Sequence, residues 1–170
     1  FRHDRRVRQE VRDQYDLADC LVVGHVGRLQ YQKNQGFLLE AFARLKVREP
    51  RARLVLAGDG PDLTDLEAKA VSLGIAHDVL FLGVRDDVPR LMQAFDLFVM
   101  PSRFEGLGMA ALEAQASGLP CILSDAVPRE AAQTEDVLFL PAEDPDLWAE
   151  KMLDVLQEQT HRIRPDNVQL

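Results

Sequence analysis

Six short apolar runs that alternate with segments of helical spacing are the feature that most restricts the fold of this 170-residue chain. The runs are apolar throughout rather than at every second position, which is typical of strands covered by helices on both faces. Parallel strands need a crossover connection, and a helix usually supplies it. The pattern therefore predicts an α/β fold, a doubly wound, Rossmann-like parallel sheet with six strands at residues 20–26, 52–57, 79–82, 97–100, 121–123 and 137–140.

The segments between the runs have apolar residues three or four positions apart, the spacing of one helix face. Phe37, Ala41 and Leu45 form such a face. Gly74 follows the second of these segments, residues 62–73, at the position of a C-terminal cap. The predicted helices, including one before the first strand, cover residues 5–15, 37–47, 62–73, 88–95, 108–117, 128–133 and 145–156.

The length suits one domain that buries a core without disulfides or metals. Residues 19–157 form the predicted core, residues 1–18 a lead-in helical segment, and residues 158–170 a peripheral tail without clear periodicity. The chain opens on a charged segment rather than on an initiator methionine. We therefore interpret it as a piece of a longer protein.

The charge pattern argues against several classes of partner. A formal net charge of -8 is unsuited to sequence-independent nucleic-acid binding, which needs clustered Lys and Arg. Acidic residues interleave with the only dense group of arginines, so we expect a solvated helix face there. No apolar run approaches the ~20 residues of a membrane span, and no signal peptide is visible. The arginines of that group are Arg2, Arg5, Arg6, Arg8 and Arg12.

The two cysteines, Cys20 and Cys121, each begin an apolar run and belong to no CxxC pair. We predict that both are small buried side chains in a reducing compartment. The sequence contains no zinc-binding pattern.

The loop at residues 27–33 places two cations, Arg28 and Lys33, at the carboxyl end of the first strand. Ligands of doubly wound sheets bind beyond that end. An Arg fork can bond two phosphate oxygens and a Lys adds a point charge, so the pair suits a diphosphate. On spacing alone, two surface cations on a polar loop are the favoured alternative.

The loop at residues 101–108 carries Glu105, and Glu113 follows on a helix that is otherwise nearly apolar. Gly106 and Gly108 allow backbone N–H groups to approach an anion at the start of that helix. The two carboxylates are separated by about the distance from sugar to ribose in a nucleotide sugar, and carboxylates accept bonds from hydroxyls. A carboxylate on an apolar helix is rarely buried without a partner. An ion pair with Arg28 or another cation is therefore the open alternative for Glu113.

Two glycine-containing turns follow neighbouring strands. Gly83, Val84 and Arg85 lie beside the same crevice, where their backbone could meet a base, although a simple strand-to-helix turn is favoured. Gly58 belongs to a Gly-Asp-Gly-Pro turn that forms, at most, a wall of the cleft.

Residues 106–111 match the G-x-G-x-x-A variant of the dinucleotide fingerprint, and Asp125 mimics its ribose-binding acid. That fingerprint follows the first strand, whereas here it follows the fourth, so the context disfavours an NAD-type oxidoreductase. No phosphate-loop motif of the G-x-x-x-x-G-K-[ST] type is present. His25 lies within a strand and is expected to be a core residue with satisfied hydrogen bonds.

In combination, these motifs resemble those of family 4 glycosyltransferases with the GT-B fold. The resemblance runs from about residue 21 to residue 156 and is strongest with bacterial exopolysaccharide and capsule glycosyltransferases. Where many members have Gly-Gly-x-x-Glu after the fifth strand, this chain has residues 125–130, Asp-Ala-Val-Pro-Arg-Glu. The segments that carry the resemblance are GHVGRLQYQKNQGFLLEAF, LVLAGDGP, VLFLGVRDDVPRLMQAFDLFVMPSRFEGLGMAALEAQASGLPCILSD and VPRE.

The resemblance implies catalytic roles for three residues. Arg28 and Lys33 would hold the diphosphate of the donor and stabilise it as a leaving group, the electrostatic role that a metal has elsewhere. Glu105, the first carboxylate of the E-x7-E motif, would bond hydroxyls of the donor sugar. The family implies retention of anomeric configuration, no cofactor and no essential divalent metal.

The family also implies the remaining donor contacts. Glu113 would bind the ribose diol, the backbone at Val84 and Arg85 would meet the base, and residues 106–108 would present N–H groups to phosphate and sugar. The implied donor-binding set is Gly27, Arg28, Lys33, Gly58, Val84, Arg85, Glu105, Gly106, Leu107, Gly108 and Glu113.

A GT-B enzyme has two such domains with the active cleft between them, and this chain corresponds to the C-terminal, donor-binding half. The implied partners are a nucleotide sugar, with a UDP-sugar favoured, a glycan or lipid-linked acceptor, and an N-terminal acceptor domain that these residues do not contain. The implied location is the cytoplasm, at the inner face of the plasma membrane through the other domain. The alternative is a non-catalytic nucleotide-sugar-binding module, which the intact charged motif residues disfavour.

Overall fold

The computed structural model describes residues 3–161, and within them six strands form one parallel sheet. Running across the sheet, the strand order is β3-β2-β1-β4-β5-β6, and all five pairings are parallel. The predicted doubly wound, six-stranded α/β fold is confirmed. The strands are β1 (Leu21–Val26), β2 (Ala52–Ala57), β3 (Val79–Phe81), β4 (Leu97–Met100), β5 (Cys121–Ser124) and β6 (Val137–Leu140).

The α-helices of the described residues agree with the predicted order but not with every predicted boundary. The predicted helix at 128–133 is only a 3-10 turn, Arg129–Ala131. The predicted helix at 88–95 is α-helical only as far as residue 92. The last helix continues into the predicted tail. Residues 162–170 of that tail lie outside the described part. In residues 3–161, no helix is both long and apolar enough to cross a membrane. The helices are α1 (Arg5–Gln14), α2 (Gln35–Arg48), α3 (Leu63–Ser72), α4 (Val88–Met92), α5 (Met109–Ala116) and α6 (Pro145–His161).

Alternate side chains of each strand enter two separate cores, one on each face of the sheet. Val23 of β1 packs in a core with α2, α3 and α6. Val22 packs in the opposite core with α1, α4 and α5. Because both faces are covered, the strands are apolar throughout, as the sequence pattern requires.

The centre of the sheet depends on a glycine in β1. A β-carbon at Gly24 would lie 2.1 Å from Cδ2 of Phe95. Phe95 is fully buried and lies two residues before β4, and its ring fills the space that a side chain of β1 would occupy. This close approach sets the packing beside the β1–β4 pair.

Helix α1 is attached to the sheet by two of the arginines expected on a solvated face. Arg12 is 7% exposed and donates to the carbonyl oxygen of Ala94 at 2.7 Å and to Asp96 at 3.2 Å. Arg8 also pairs with Asp96, whose carboxylate in addition accepts a bond of 2.8 Å from the Val22 amide. The expectation of a solvated face is wrong for Arg8 and Arg12, because the loop before β4 presents carbonyl and carboxylate oxygens to them.

The two cysteines occupy different environments. Cys121 is buried, as predicted, and burial raises the pKa of its thiol. Cys20 is only partly buried, because it precedes β1 rather than lying within it. The prediction of a buried side chain is therefore wrong for Cys20.

Candidate functional site

The order of the strands reverses between β1 and β4. From β1 the chain proceeds to β2 and β3 on one side, and β4 to β6 lie on the other. In doubly wound sheets, ligands bind at such a switch point, beyond the carboxyl ends of the strands. The candidate site is therefore formed by the loops after β1 and β4, residues 27–34 and 101–108.

The loop after β1 is held by the loop after β2. The Gly27 amide donates to the carbonyl oxygen of Ala57 at 3.0 Å. Gly58 has a φ of +143°, and a β-carbon there would lie 1.9 Å from the carbonyl oxygen of Gly27. The Gly58 amide in turn donates to Gly83 at 2.8 Å. The structure thus brings three predicted glycines together, and Gly58 supports the β1 loop directly.

The loops after β1 and β4 are also bonded to each other. Asn34 donates through Nδ2 to the carbonyl oxygen of Pro101 at 3.0 Å. The Arg103 amide donates to Gln32 at 2.8 Å, and Nε2 of Gln32 donates to the carbonyl oxygen of Phe104 at 3.1 Å. These bonds fix the relative positions of the predicted cations and the predicted carboxylate.

The side chains of Lys33 and Glu105 meet across the two loops as an ion pair. They are largely buried, with side-chain exposures of 17% and 8%. The hydroxyl of Ser102 donates at 2.9 Å to the same carboxylate oxygen, Oε1. Two of the three residues predicted to be catalytic are therefore in direct contact.

Arg28 and Glu113 stay apart from this pair. The Arg28 side chain is exposed and Glu113 is partly buried. Among residues 3–161, neither side chain has an ion pair or hydrogen bond. The open alternative for Glu113, an ion pair with Arg28 or another cation, is thus not found in the described part of the chain.

The segment before α5 exposes backbone at the carboxyl edge of the sheet. Gly106 and Leu107 are exposed, and Gly108 adopts a φ of +64° as the N-cap of the helix. No side chain caps this end of α5. Uncapped N–H groups at a helix start are suited to an anion or a polar ligand group.

The turn after β3 offers backbone rather than charge. Val84 is 80% exposed. The Arg85 guanidinium bonds both carboxylate oxygens of Asp87 at 2.8 Å and the Tyr15 hydroxyl at 2.7 Å. Bonding to Asp87 raises the pKa of Arg85. This side chain therefore joins the turn to the end of α1, which leaves the backbone for a ligand.

His25 and Gln35 form a buried polar pair beneath the β1 loop, of which the sequence predicted only His25. His25 is fully buried, as expected, and its Nδ1 lies 2.9 Å from the carbonyl oxygen of Val99. Its Nε2 lies 3.1 Å from Nε2 of Gln35, which also donates to the carbonyl oxygen of Arg28 at 2.9 Å. Burial lowers the pKa of His25 to about 4, so the ring is neutral near pH 7.

Sequence reasoning missed Gln35 and Ser102. Gln35 begins a helix that the pattern placed two residues later, and Ser102 lies in the motif that drew attention to Glu105. Their only sequence signal is a polar residue within two or three positions of a charged motif residue. Among residues 3–161, no three His, Cys, Asp or Glu side chains are grouped as a metal site needs.

The fold and the candidate site together are typical of a doubly wound domain that binds a ligand at its switch point, and here the loops at that point carry cations and carboxylates. This set of groups suits a ligand that combines phosphate with hydroxyls, because cations and uncapped amides bond phosphate and carboxylates bond hydroxyls.

Comparisons with known proteins identify the family. The family model described as Glycosyl transferases group 1 matches residues 20–158. The chain is 52% identical over 110 residues to a candidate glycosyltransferase of Bacillus subtilis, EpsF. The match covers 65% of this chain and 29% of that protein. It is 34% identical over 153 residues to the D-inositol 3-phosphate glycosyltransferase of Corynebacterium efficiens, covering 84% of this chain and 36% of that enzyme.

Solved structures show the same architecture. The crystal structure of HepE from Anabaena in complex with UDP and glucose has a TM-score of 0.86 and 25% identity, over 94% of this chain and 45% of that one. The C-terminal domain of LpcC, a group 1 family protein of Francisella tularensis, has a TM-score of 0.80 over 92% of this chain and 86% of that one. At 24% identity, the second likeness concerns the fold alone.

This chain belongs to the group 1 glycosyltransferases, and the resemblance to GT-B glycosyltransferases of the bacterial exopolysaccharide type is confirmed. It spans about a third of the length of the two curated relatives described above.

Proposed function

We propose that this domain binds the nucleoside-diphosphate-sugar donor of a retaining glycosyltransferase that transfers a hexosyl unit to a growing bacterial glycan. The observation that carries the proposal is the contact of Lys33 with Glu105 at the switch point, on loops that also present Arg28 and the start of α5. The HepE complexes with UDP and with UDP-glucose support a UDP-sugar as the donor.

Arg28 and Lys33 bind the diphosphate in this proposal. Arg28 has an unengaged fork among the described residues, and Lys33 lies in a largely buried position where electrostatic attraction is stronger than in water. As the bond to the sugar breaks, negative charge grows on the diphosphate. Cations fixed before the reaction stabilise that charge without reorganisation, so the mechanism needs no cofactor or essential metal.

The carboxylates address the sugars. Glu105 lies beside Lys33 and so is placed at the junction of phosphate and donor sugar, where it accepts bonds from hydroxyls. Glu113 lies further along α5 and binds the ribose diol. The backbone of Val84 and Arg85 meets the base, and Gly106, Leu107 and Gly108 bond phosphate and sugar through their amides.

The acceptor comes from elsewhere. In the proposed enzyme an N-terminal domain holds a glycan or lipid-linked acceptor hydroxyl against the anomeric carbon at the cytoplasmic face of the membrane. Such positioning contributes roughly 7–11 kcal/mol to lowering a barrier. The 170-residue chain is therefore expected to bind the donor without transferring the sugar.

Donor binding is tested by calorimetric titration of the 170-residue chain with UDP-, GDP- and ADP-sugars. We expect UDP-sugars to bind most tightly. Tighter binding of a GDP- or ADP-sugar would change the base but keep the donor-binding function. No measurable binding of any nucleotide sugar would refute the function.

Transfer is tested by incubating the chain with a labelled UDP-sugar and lipid-linked acceptors. We expect at most slow hydrolysis of the donor, and transfer only after a matching N-terminal domain is added. Efficient transfer by these 170 residues alone would show that the half-enzyme proposal is wrong.

A further inference from the structure

We propose that Gln35 is a positioning residue that fixes the backbone of the β1 loop so that Arg28 and Lys33 converge on the diphosphate. The inference rests on the donor-binding function proposed above. Gln35 is 2% exposed, and its side-chain amide nitrogen donates both to the Arg28 carbonyl oxygen and to Nε2 of His25.

The orientation of the Gln35 amide follows from its two neighbours. The carbonyl oxygen of Val99 can only accept a bond, so Nδ1 of His25 carries the proton and donates to it. The neutral ring therefore presents a lone pair at Nε2. Because the Arg28 carbonyl oxygen is also an acceptor, only the NH₂ group of Gln35 can satisfy both partners.

This orientation leaves the other end of the amide without a partner. Oε1 of Gln35 is buried and accepts no hydrogen bond from any of residues 3–161. A buried acceptor left unsatisfied is destabilising. A side chain retained only for packing has no need of this arrangement, whereas one that must hold the Arg28 carbonyl does.

The loop geometry shows what the bonds control. A β-carbon at Gly27 would lie 3.3 Å from Nε2 of His25 and 3.4 Å from Cδ of Lys33. His25, to which Gln35 is bonded, thus lies against the Gly27 backbone, on the same side as the stem of Lys33. Gln35 is also the first residue of α2, so its bond to the Arg28 carbonyl ties the start of α2 to the start of the β1 loop. Both cations lie on the segment between these two points.

The test compares Gln35→Met with the matched control Gln93→Met. Methionine has similar length but cannot donate, and Gln93 is a buried glutamine at the opposite, amino end of the sheet. Affinities for UDP and for uridine are measured by calorimetry, and free energies of unfolding by urea titration. We expect Gln35→Met to weaken UDP binding about tenfold, the effect of one typical hydrogen bond, with uridine affinity unchanged. Gln93→Met should leave both affinities unchanged.

Equal losses for UDP and uridine, or a loss of stability with UDP affinity intact, would overturn the positioning role. Should Gln35→Met fail to fold, Gln35→Leu serves instead, because leucine is also close in size, cannot donate to the Arg28 carbonyl and adds no charge that would itself repel the diphosphate. The same loss specific to UDP is then expected, and its absence would refute the inference. Failure of the unaltered chain to bind UDP would instead remove the proposed function, and the inference with it.

Discussion

The ammonium group of Lys33 is paired with the carboxylate of Glu105, the two side chains reaching each other from loops that follow different strands. Under the proposed function, Lys33 binds the phosphate of the donor and Glu105 binds its sugar. Glu105 therefore takes the place of the phosphate as the partner of Lys33 before a donor binds. Donor binding must exchange this ion pair for two new sets of contacts.

The exchange predicts opposite effects of Glu105→Gln on two ligands. Affinity for UDP should increase by about 1 kcal/mol because Lys33 no longer has a competing anion, whereas the added affinity from the sugar of UDP-glucose should fall by about 1.5–3 kcal/mol. Calorimetry with both ligands measures the difference. Glu150→Gln, an exposed site on α6, is the control, and equal changes for the two ligands would contradict the exchange.

Arg28→Ala is predicted to reduce binding without reducing stability. Its guanidinium has no partner among the described residues, so the free energy of unfolding should stay within about 0.5 kcal/mol of the original. Loss of a charge-assisted contact should weaken UDP binding by roughly 1.5–3 kcal/mol, with little effect on uridine. Arg12→Ala offers the contrast, because it removes a buried partner of Asp96 and should lower stability instead. Unchanged UDP affinity in Arg28→Ala would disprove the diphosphate assignment.

Glu113→Gln tests recognition of the ribose. The carboxylate has no partner in residues 3–161 that would explain it structurally, so a diol is its proposed ligand. Removing the 2′-hydroxyl from UDP should weaken binding to the original chain by about 1–3 kcal/mol. The penalty should shrink in Glu113→Gln. Equal ratios of UDP to 2′-deoxy-UDP affinity in the two proteins would leave Glu113 without a role in ribose binding.

Gly58→Ala should displace the β1 loop, although Gly58 itself follows the neighbouring strand β2. An added β-carbon would meet the Gly27 carbonyl oxygen at 1.9 Å, and the φ of +143° is unfavourable for alanine. Such overpacking typically costs about 1–3 kcal/mol of stability, and UDP affinity should fall with it. Urea titration and calorimetry measure the two effects. The control is Gly36→Ala, where only the flexible end of Lys69 lies nearby. A Gly58→Ala chain with unchanged stability would show that the loops are not in close contact.

The pH dependence of stability should contain a contribution from His25. Its pKa is lowered to about 4 from an ordinary 6.5, mainly by burial, with Lys33 lowering it and Glu105 raising it. The unfolded chain therefore binds the proton first, and stability should be lost as the pH falls from about 6.5 toward 4, by about 3 kcal/mol in all. Urea titrations between pH 5 and 6.5 should give a smaller slope for His25→Asn. An equal slope would show that His25 is not the group responsible.

The alternation of apolar runs with helical segments sufficed to predict the fold, because strands covered on both faces are apolar at every position. Arg28, Lys33 and Glu105 could be selected because charged residues after apolar runs lie at one edge of a parallel sheet, and Glu113 because it is the one carboxylate on an otherwise nearly apolar helix. The contact of Lys33 with Glu105 could not be foreseen, since it depends on hydrogen bonds between loops separated by several elements. The ion pairs of the buried Arg12 and the partly buried Arg8 with Asp96 were missed for the same reason, as their partner precedes β4.

The hydrogen bonds that join the loops after β1 and β4 have a consequence for changes of specificity. Each of these bonds, which involve Gln32, Asn34 and Pro101, has a backbone group as donor or acceptor. The two loops therefore form a framework that is ordered when the chain folds rather than when a ligand arrives. The exposed side chains of Phe104 and Leu107 project from this framework, and that of Val84 projects from the turn after β3; none of the three supports the framework. Under the proposed function, exchanges at these three positions can therefore diversify the surface for a new sugar or base while the scaffold beneath keeps its shape.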